Sequence, residues 1–352
     1  MTTRWSKWVL VLLLLPIWVR ASEETPAVST NDLRTVILVA GLAGEEDYAT
    51  EFNTWVEGWK KAVELAKAKW VAVGLPVVGE AEGSNSHGPS GENTDHDRDK
   101  LKKILGEEDK EGGELWLVLI GHGTFNGKEA KFNLHGPDVT ALELAEWLKP
   151  FHRPLAFINC ASASAPFINA LSGSNRVVVG ATRSGYEQNY ARFGKYLAEG
   201  IGDLKADLDK DGQTSLLEAF ISASKQAFDF YKNEGRLATE HALLDDNGDG
   251  FGTPADWFRG VRAQKKPAQG NSVDGLRAHQ LHLLRSDEEQ KLSPQARARR
   301  DELERSILRL REEKAQLADE EYYARLETLL LDIGKIYGLT TNAPKTEAIQ
   351  AK

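Results

Sequence analysis

The sequence predicts an α/β protein in which a mostly parallel β-sheet lies between two layers of helices. Three observations lead to this fold class. Short apolar runs recur along the first half of the chain, helical segments separate them, and the runs carry few polar residues. Strands that alternate with helices form parallel sheets, and uninterrupted apolar strands are buried on both faces. Functional side chains in such sheets gather beyond the carboxyl ends of the strands.

The apolar runs and the segments between them give the predicted order of elements. Five runs are predicted as strands, at 33–41, 70–78, 114–120, 153–159 and 176–182. Apolar spacings of three and four, or a charged helical composition, predict helices at 46–69, 95–106, 140–149, 166–172, 191–201 and 216–231. Residues 79–94 are rich in Gly, Ser, Asn and His and are predicted as a loop.

Composition excludes several classes of protein. The 352 residues include 44 Lys and Arg against 53 Asp and Glu, a net charge of −9, which argues against nucleic acid as a partner because duplex binding needs a basic face. Apolar residues make up 41% of the chain, enough for a packed core. The single cysteine excludes an internal disulfide and a cysteine-rich zinc site.

The first 21 residues are predicted to be a signal peptide. Arg4 and Lys7 precede the apolar run 8–19, and Ala21 offers a small residue at the cleavage point. The run has 12 residues, fewer than the ~20 that a membrane-spanning helix needs. An uncleaved membrane anchor is the alternative. We expect an exported chain, periplasmic or extracellular, with no stable membrane insertion after cleavage.

A histidine and the cysteine follow two of the predicted strands. Gly121-His122-Gly123 follows the third strand and Cys160 follows the fourth. Neighbouring parallel strands would bring both side chains to one edge, where a histidine can take the proton of a thiol. The N–H groups of Gly123 and Cys160 are the candidate donors of an oxyanion hole. The alternative is a buried structural thiol beside a histidine in a turn.

This arrangement resembles the caspase–legumain superfamily of cysteine peptidases. A strand ending in His-Gly is followed 38 residues later by a strand ending in Cys, and residues 181–191 resemble the legumain branch. The resemblance covers residues 33–235. It implies a caspase-like three-layer fold, a catalytic dyad of His122 and Cys160, and a peptide or protein substrate.

One departure bears on specificity. Legumains carry an acidic residue after the nucleophile, where this chain has Ala161, so the resemblance does not imply cleavage after asparagine. Arg183 and Glu187 are the candidates for the substrate pocket.

The acidic segment 207–218 has the spacing of an EF-hand calcium loop. Such a loop takes ligands from positions 1, 3, 5, 7, 9 and 12 and requires glycine at position 6, which is Gly212 here. The predicted Ca²⁺ ligands are Asp207, Asp209, Asp211, Gln213 (carbonyl), Ser215 and Glu218.

A second acidic segment, 245–256, is a further candidate calcium loop. Its ligands by the same spacing are Asp245, Asn247, Asp249, Phe251 (carbonyl), Thr253 and Asp256. The Asp at position 12 is shorter than the usual Glu, and Pro254 makes the end of the loop irregular. A glycine- and aspartate-rich turn without a metal is the alternative.

The remaining sequence divides into four parts. An α/β domain is predicted over 31–262, a linker over 263–275, a helical hairpin over 276–338 and a disordered tail over 339–352. The hairpin is predicted from the heptad-like spacing of Leu303, Ile307, Leu310 and Leu317. It is a candidate surface for self-association.

Two functions from different classes fit these features. The first is a secreted, calcium-stabilised cysteine peptidase of caspase–legumain type. The second is a calcium-binding structural or interaction protein on a catalytically inactive fold of the same kind.

Overall fold

The computed structural model describes residues 33–75, 96–269 and 272–338. The predicted signal peptide, the predicted loop 79–94 and the predicted tail 339–352 lie outside these ranges. Within them, no helix combines the length and the apolar composition needed to cross a membrane.

The central feature is a seven-stranded sheet with the order β10-β9-β8-β7-β3-β1-β2. The strands of the described chain, in sequence order, are β1 Thr35–Ala40, β2 Lys69–Val73, β3 Leu115–Ile120, β4 Gly123–Phe125, β5 Ala130–Phe132, β6 Val139–Thr140, β7 Leu155–Asn159, β8 Arg176–Gly180, β9 Leu243–Asp245, β10 Thr253–Pro254, β11 Phe258–Arg259 and β12 Arg262–Ala263. The strands β2, β1, β3, β7 and β8 are parallel, and β9 and β10 add an antiparallel edge. The prediction of a mostly parallel sheet is confirmed.

Helices cover both faces of this sheet. They are α1 Glu46–Leu65, α2 Asp97–Glu107, α3 Ala141–Leu148, α4 Ala165–Leu171, α5 Phe193–Gly200, α6 Leu216–Asn233, α7 Leu276–Gln280, α8 Asp287–Lys291, α9 Pro294–Glu313 and α10 Asp319–Ile336. On one face, α1, α5 and α6 bury a cluster that includes Trp55, Trp59 and Phe193. On the other, α2, α3 and α4 bury a second cluster that includes Leu101 and Phe167. The three-layer α/β architecture is therefore confirmed.

A small antiparallel sheet follows the central strand β3. It has the order β4-β5-β6 and occupies the chain between His122 and α3. The sequence analysis assigned no element to this stretch, because strands of two or three residues are too short to show a period. The sheet fixes the backbone directly after His122.

The C-terminal part begins with two short helices and ends in a helical hairpin. The helix α7 packs against α6 and β8 of the main domain, and α9 packs against α10. In the hairpin, Leu303, Ile307 and Leu310 are buried as the heptad spacing indicates. In the predicted linker, Asp274 is only 2% exposed and bonds to the main domain.

Candidate functional site

His122 and Cys160 lie at the same edge and on the same face of the central sheet. The parallel register pairs Leu119 of β3 with Asn159 of β7, and the N–H of Cys160 donates to the carbonyl of Leu119 at 2.9 Å. Side chains alternate along a strand, so Ile120 and His122 point to one side. Ile120 and Cys160 share the apolar cluster beneath α1 and α5. The strands thus place the two predicted catalytic residues at one edge and on one face of the sheet.

The His122 imidazole is held by aromatic rings and one hydrogen bond. Its Nε2 lies 3.1 Å from the carbonyl oxygen of Ala43. Its ring centroid lies 5.0 Å from that of Tyr48, 5.2 Å from Phe52 and 6.2 Å from Tyr190. Burial lowers the pKa of His122, partly offset by the bond to Ala43. The imidazole is therefore neutral at pH 7 and able to accept a proton.

The Cys160 thiol is closed off from solvent. The residue is 1% exposed, and α5 approaches it so closely that a β-carbon on Gly194 would lie 2.6 Å from its Cβ. Burial, with the nearby carboxylate of Glu240, raises the pKa of Cys160 to about 12. No hydrogen bond joins its sulfur to the imidazole of His122, both residues being in the described part of the chain. In this conformation the thiol is protonated.

The two predicted oxyanion donors are both in use. The N–H of Gly123 donates to the hydroxyl of Ser162 at 3.2 Å, and the N–H of Cys160 belongs to the sheet ladder. A β-carbon at position 123 would lie 2.2 Å from the carbonyl oxygen of Ser162, so this close approach requires glycine. The oxyanion hole expected from these two groups is therefore absent from this conformation, because each group already has an acceptor.

The loop after Cys160 contains a strained residue. Ala163 has a φ of +54°, in the left-handed region that costs a residue with a β-carbon about 1–2 kcal/mol. Its N–H donates to the carbonyl of Glu187 at 2.8 Å. Ser164 is also fixed, by hydrogen bonds between its N–H and hydroxyl and the hydroxyl of Thr182. The loop is thus held in place by the segment that follows β8.

Of the two predicted pocket residues, Glu187 serves to join two segments. Its carboxylate lies 2.6 Å from Nδ1 of His241 and accepts the N–H of Arg183 at 3.0 Å. These bonds tie the segment after β8 to the residues before β9. Arg183 has a 61% exposed side chain and lines a cavity of about 730 Å³. Arg183 therefore remains the candidate for contact with a substrate.

The same cavity brings in two residues that the sequence analysis missed. It lies between α6 and the 255–257 turn, and its lining includes Phe193, Phe228, Glu240, His241 and Trp257. Glu240 is 5% exposed, and it accepts the N–H groups of Arg192 and Phe193 at 2.8 Å each. It thereby caps the start of α5 beside Cys160. Neither Glu240 nor His241 stands in a sequence motif, so no signal marked them in advance.

The first acidic loop gathers three of its predicted ligands. The carboxylates of Asp207, Asp209 and Asp211 offer oxygens within 4.8 Å of one another. Asp207 accepts the N–H groups of Lys210 and Gly212, at 2.6 and 3.1 Å, so the backbone wraps around its carboxylate. The structure therefore brings together the predicted ligands at positions 1, 3 and 5 of the first loop.

The other predicted ligands of the first loop lie at the start of α6. Ser215 and Glu218 cap this helix through reciprocal bonds, and the Glu218 carboxylate also accepts the N–H of Leu208 at 2.7 Å. His279 of α7 adds a contact that was not predicted, with its Nε2 2.9 Å from Asp209. The Gln213 side chain bonds to Asp211, leaving its carbonyl as the predicted ligand.

The second acidic loop repeats the hydrogen bonds of the first. Asp245 accepts the N–H groups of Gly248 and Gly250, three and five residues ahead, at 3.0 and 3.1 Å. At positions 3 and 5, the side chains of Asn247 and Asp249 each accept the backbone N–H two residues ahead. Asp209 and Asp211 do the same in the first loop. Positions 4 and 6 have positive φ in both loops. The two loops therefore share one backbone geometry at their first seven positions.

The end of the second loop departs from the prediction. Thr253 lies in β10, which pairs with β9 and carries the chain away from the loop. Asp256 is exposed in the following turn and lines the cavity beside Arg183. The structure thus places Asp256 apart from the residues with which it was grouped, because pairing in the sheet replaces the helical continuation of an EF-hand.

Comparisons with known proteins are limited to structure. No protein-family model and no curated protein sequence matches the chain. Caspase-1 from Spodoptera frugiperda is similar, with a TM-score of 0.39 and 11% identity over 62% of this chain and 87% of that one. The Drosophila initiator caspase Dronc is also similar, with a TM-score of 0.36 and 10% identity over 64% and 84% of the two chains. Both TM-scores lie below 0.5, so neither similarity indicates the function of this chain.

Proposed function

We propose that this chain is an exported, calcium-binding cysteine peptidase of caspase–legumain type, with Cys160 as nucleophile and His122 as proton carrier. The observation that carries the proposal is the placement of both residues at the carboxyl ends of the adjacent parallel strands β3 and β7, on one face of the sheet. Functional groups in parallel sheets gather at this edge.

The proposed reaction uses the chemistry of a thiol and an imidazole. His122 takes the proton of the Cys160 thiol, and the sulfur attacks the peptide carbonyl carbon. The C–N bond breaks, the amine leaves with the proton from His122, and a thioester remains on Cys160. Water then hydrolyses the thioester and returns the thiol. The neutral state of His122 at pH 7 suits its role as base.

The conformation described here is a closed one, and the proposal requires it to open. Cys160 must leave its contact with α5, which would expose the sulfur and let its pKa fall. The Gly123 N–H is freed if the Ser162 side chain rotates, because that hydroxyl is its acceptor. The ring of Tyr190 packs beside that of His122, at 6.2 Å between centroids, and lies tilted 6.0 Å from that of Trp55. We propose that displacement of this ring exposes the dyad to a peptide.

Calcium has a structural part in this proposal. The residues of the first loop fit the ion because Asp207, Asp209 and Asp211 supply convergent oxygens. Those of the second loop fit it because Oδ2 of Asp249 is buried without a hydrogen-bond partner. An oxygen-rich set of ligands is what Ca²⁺ prefers, and extracellular sites of ~10⁻³–10⁻⁴ M affinity stay loaded. Bound ions would neutralise the carboxylates that fix the start of α6 and the end of β9.

A second function is favoured by a specific observation. The nucleophile is buried, its pKa is raised, and both predicted oxyanion donors are occupied. These features fit a non-catalytic calcium-binding protein on the same fold. In that case the α9–α10 hairpin, with Leu330 53% exposed, is the candidate surface for a partner or a second copy.

A peptide-library cleavage profile decides between the two functions. The mature chain is incubated with the library at millimolar Ca²⁺, and the products are identified by mass spectrometry, with Cys160→Ala as the control. We expect cleavage by the wild type and none by the variant. A wild-type chain that is folded, calcium-loaded and inactive supports the non-catalytic function.

A further inference from the structure

We infer that Asp274 is the carboxylate that closes the second calcium loop, in the place that the spacing gave to Asp256. The inference rests on the calcium role proposed above. It assigns a metal ligand that lies 18 residues beyond the loop's expected last position, in a segment predicted as a linker.

The first loop shows what a closing carboxylate does in this fold. Oε1 of Glu218 accepts the N–H groups of Leu208 and Asp209, at positions 2 and 3, at 2.7 and 3.3 Å. Oε2 accepts the hydroxyl of Ser215, at position 9, at 2.8 Å. The carboxylate of position 12 thus lies across the loop from position 1, where a bidentate ligand is needed.

Asp274 makes the equivalent bonds in the second loop. Its Oδ1 accepts the N–H groups of Asp246 and Asn247, at positions 2 and 3, at 3.0 and 3.2 Å. Its Oδ2 accepts the hydroxyl of Thr253, at position 9, at 2.5 Å. The same three groups of the loop therefore hold Asp274 as hold Glu218, although Asp274 comes from a different part of the chain.

The charge around Asp274 points independently to a cation. Asp245, Asp246 and Asp274 are 1%, 3% and 2% exposed. Among the described residues, no ion pair within 4.0 Å joins these carboxylates or that of Asp249 to a Lys, Arg or His nitrogen, although Arg277 acts on Asp246 as a positive charge. Buried carboxylates are normally paired or bound to metal, and within the described residues Asp245 and Asp274 form no ion pair.

One oxygen in the loop also lacks a partner. Oδ2 of Asp249, at position 5, is buried without a hydrogen bond, whereas Oδ1 accepts the N–H of Phe251. An unpaired buried carboxylate oxygen is costly, and a bound cation would satisfy it. Asp249 also acts on Asp245 as a neighbouring negative charge. The unsatisfied oxygen therefore belongs to the same cluster as position 1.

The donor set selects the class of ion. It consists of oxygens alone, from the carboxylates of Asp245, Asp249 and Asp274, the amide of Asn247 and the groups at positions 7 and 9. Oxygen donors with three carboxylates suit a hard divalent cation, and the loop geometry suits Ca²⁺. Asp246 is not in the set because it stands at position 2, which supplies no ligand, and its carboxylate accepts the N–H groups of Gly275 and Ala278 outside the loop.

The test is a calorimetric titration of the calcium-stripped mature chain with CaCl₂. We expect two sites in the wild type, one site in Asp274→Asn, and two sites in the matched control Asp256→Asn. Glu218→Gln removes the other site. The Asn side chain keeps an oxygen acceptor for the loop N–H groups, and circular dichroism checks the fold.

The outcomes separate this inference from the calcium role itself. A wild type without calcium binding overturns both. A single wild-type site that Glu218→Gln abolishes leaves the calcium role intact but overturns the inference, as does a site lost in Asp256→Asn and kept in Asp274→Asn. If Asp274→Asn does not fold, a wild-type crystal grown with Ca²⁺ decides. An Asp274 oxygen at ~2.3–2.6 Å from the ion supports the inference, and an Asp256 oxygen at that distance, or no ion in the loop, contradicts it.

Discussion

Gly194 of α5 lies directly against Cys160, and no side chain fits between them. A β-carbon at position 194 would lie 2.6 Å from Cβ of Cys160 and 2.7 Å from the ring of Trp55. The start of this helix is capped by the buried Glu240, which also raises the pKa of the thiol. The close packing of α5 on Cys160 therefore requires glycine at position 194.

The first prediction concerns this contact. Gly194→Ala should lower the free energy of unfolding by about 1–3 kcal/mol, because the added methyl overpacks the core. Gly106→Ala, in α2, is the matched control, since a β-carbon there meets nothing within 4 Å. The control should gain about 0.5–1 kcal/mol from helix propensity. Urea unfolding measures both, and equal effects of the two substitutions would contradict the described packing.

The second prediction concerns the accessibility of the thiol. With a pKa of about 12, native Cys160 should react with iodoacetamide at pH 8 roughly 10³-fold more slowly than in the urea-unfolded chain. Tyr190→Ala should raise the native rate, because it removes a ring that packs on His122 and Trp55. Tyr190→Phe keeps the ring and should leave the rate unchanged. Fast labelling of the wild type would refute the closed conformation.

The third prediction concerns pH. His282 is 6% exposed, and its Nε2 is buried without a hydrogen-bond partner. Burial, followed by the charge of His279, lowers the pKa of His282 to about 3, below the ~6.5 of an unfolded chain. Between these values the unfolded state binds one more proton, so stability falls as the pH is lowered, by up to about 1.4 kcal/mol per pH unit.

The variant His282→Gln tests whether His282 causes this loss of stability at low pH. It should flatten the decline in unfolding free energy between about pH 6.5 and pH 4. The exposed His152 provides the control, since His152→Gln should retain the wild-type profile. Parallel pH profiles for the wild type and His282→Gln would show that another group sets the acid sensitivity.

The fourth prediction concerns calcium removal. Chelation should lower the melting temperature by roughly 5 °C or more, because an ion at 100 times its Kd stabilises the native state by about 2.7 kcal/mol per site. Glu218→Gln should shrink this difference, since Glu218 is fully buried at the first loop. The exposed Glu234→Gln at the end of α6 is the control. Identical melting temperatures with and without chelator in the wild type would contradict a stabilising calcium site in either loop.

The sequence predicted the layers of the fold because its central strands are long and apolar. The five parallel strands have five or six residues each, and their alternation with helices indicates the topology. The strands β9 and β10 have three and two residues, so periodicity could not reveal them. The observed helix ends also differ from the predicted ones. The helix predicted over 46–69 ends at Leu65 as α1, because the chain turns at Lys67, which has a φ of +52°.

Only those residues of the candidate site that belong to local sequence motifs could be predicted. His122, Cys160 and the acidic loops stand at strand ends or in spaced motifs, which the chain itself displays. Asp274 and Glu240 reach their sites only through tertiary contacts. Asp274 is 29 residues from Asp245, and Glu240 is 80 residues from Cys160. The burial of Cys160 and the occupied N–H of Gly123 depend on packing by α5 and Ser162. No local pattern specifies such contacts.

The proposed hydrolytic dyad of Cys160 and His122 is tested most directly by the initial rate on the peptide that the library selects. The wild type, Cys160→Ala and His122→Ala are compared at saturating Ca²⁺, with Ser306→Ala on α9 of the C-terminal hairpin as the control. We expect losses of at least ~10³-fold in the two dyad variants and none in the control. Hydrolysis that survives Cys160→Ala at the wild-type rate would contradict the role of Cys160 as nucleophile.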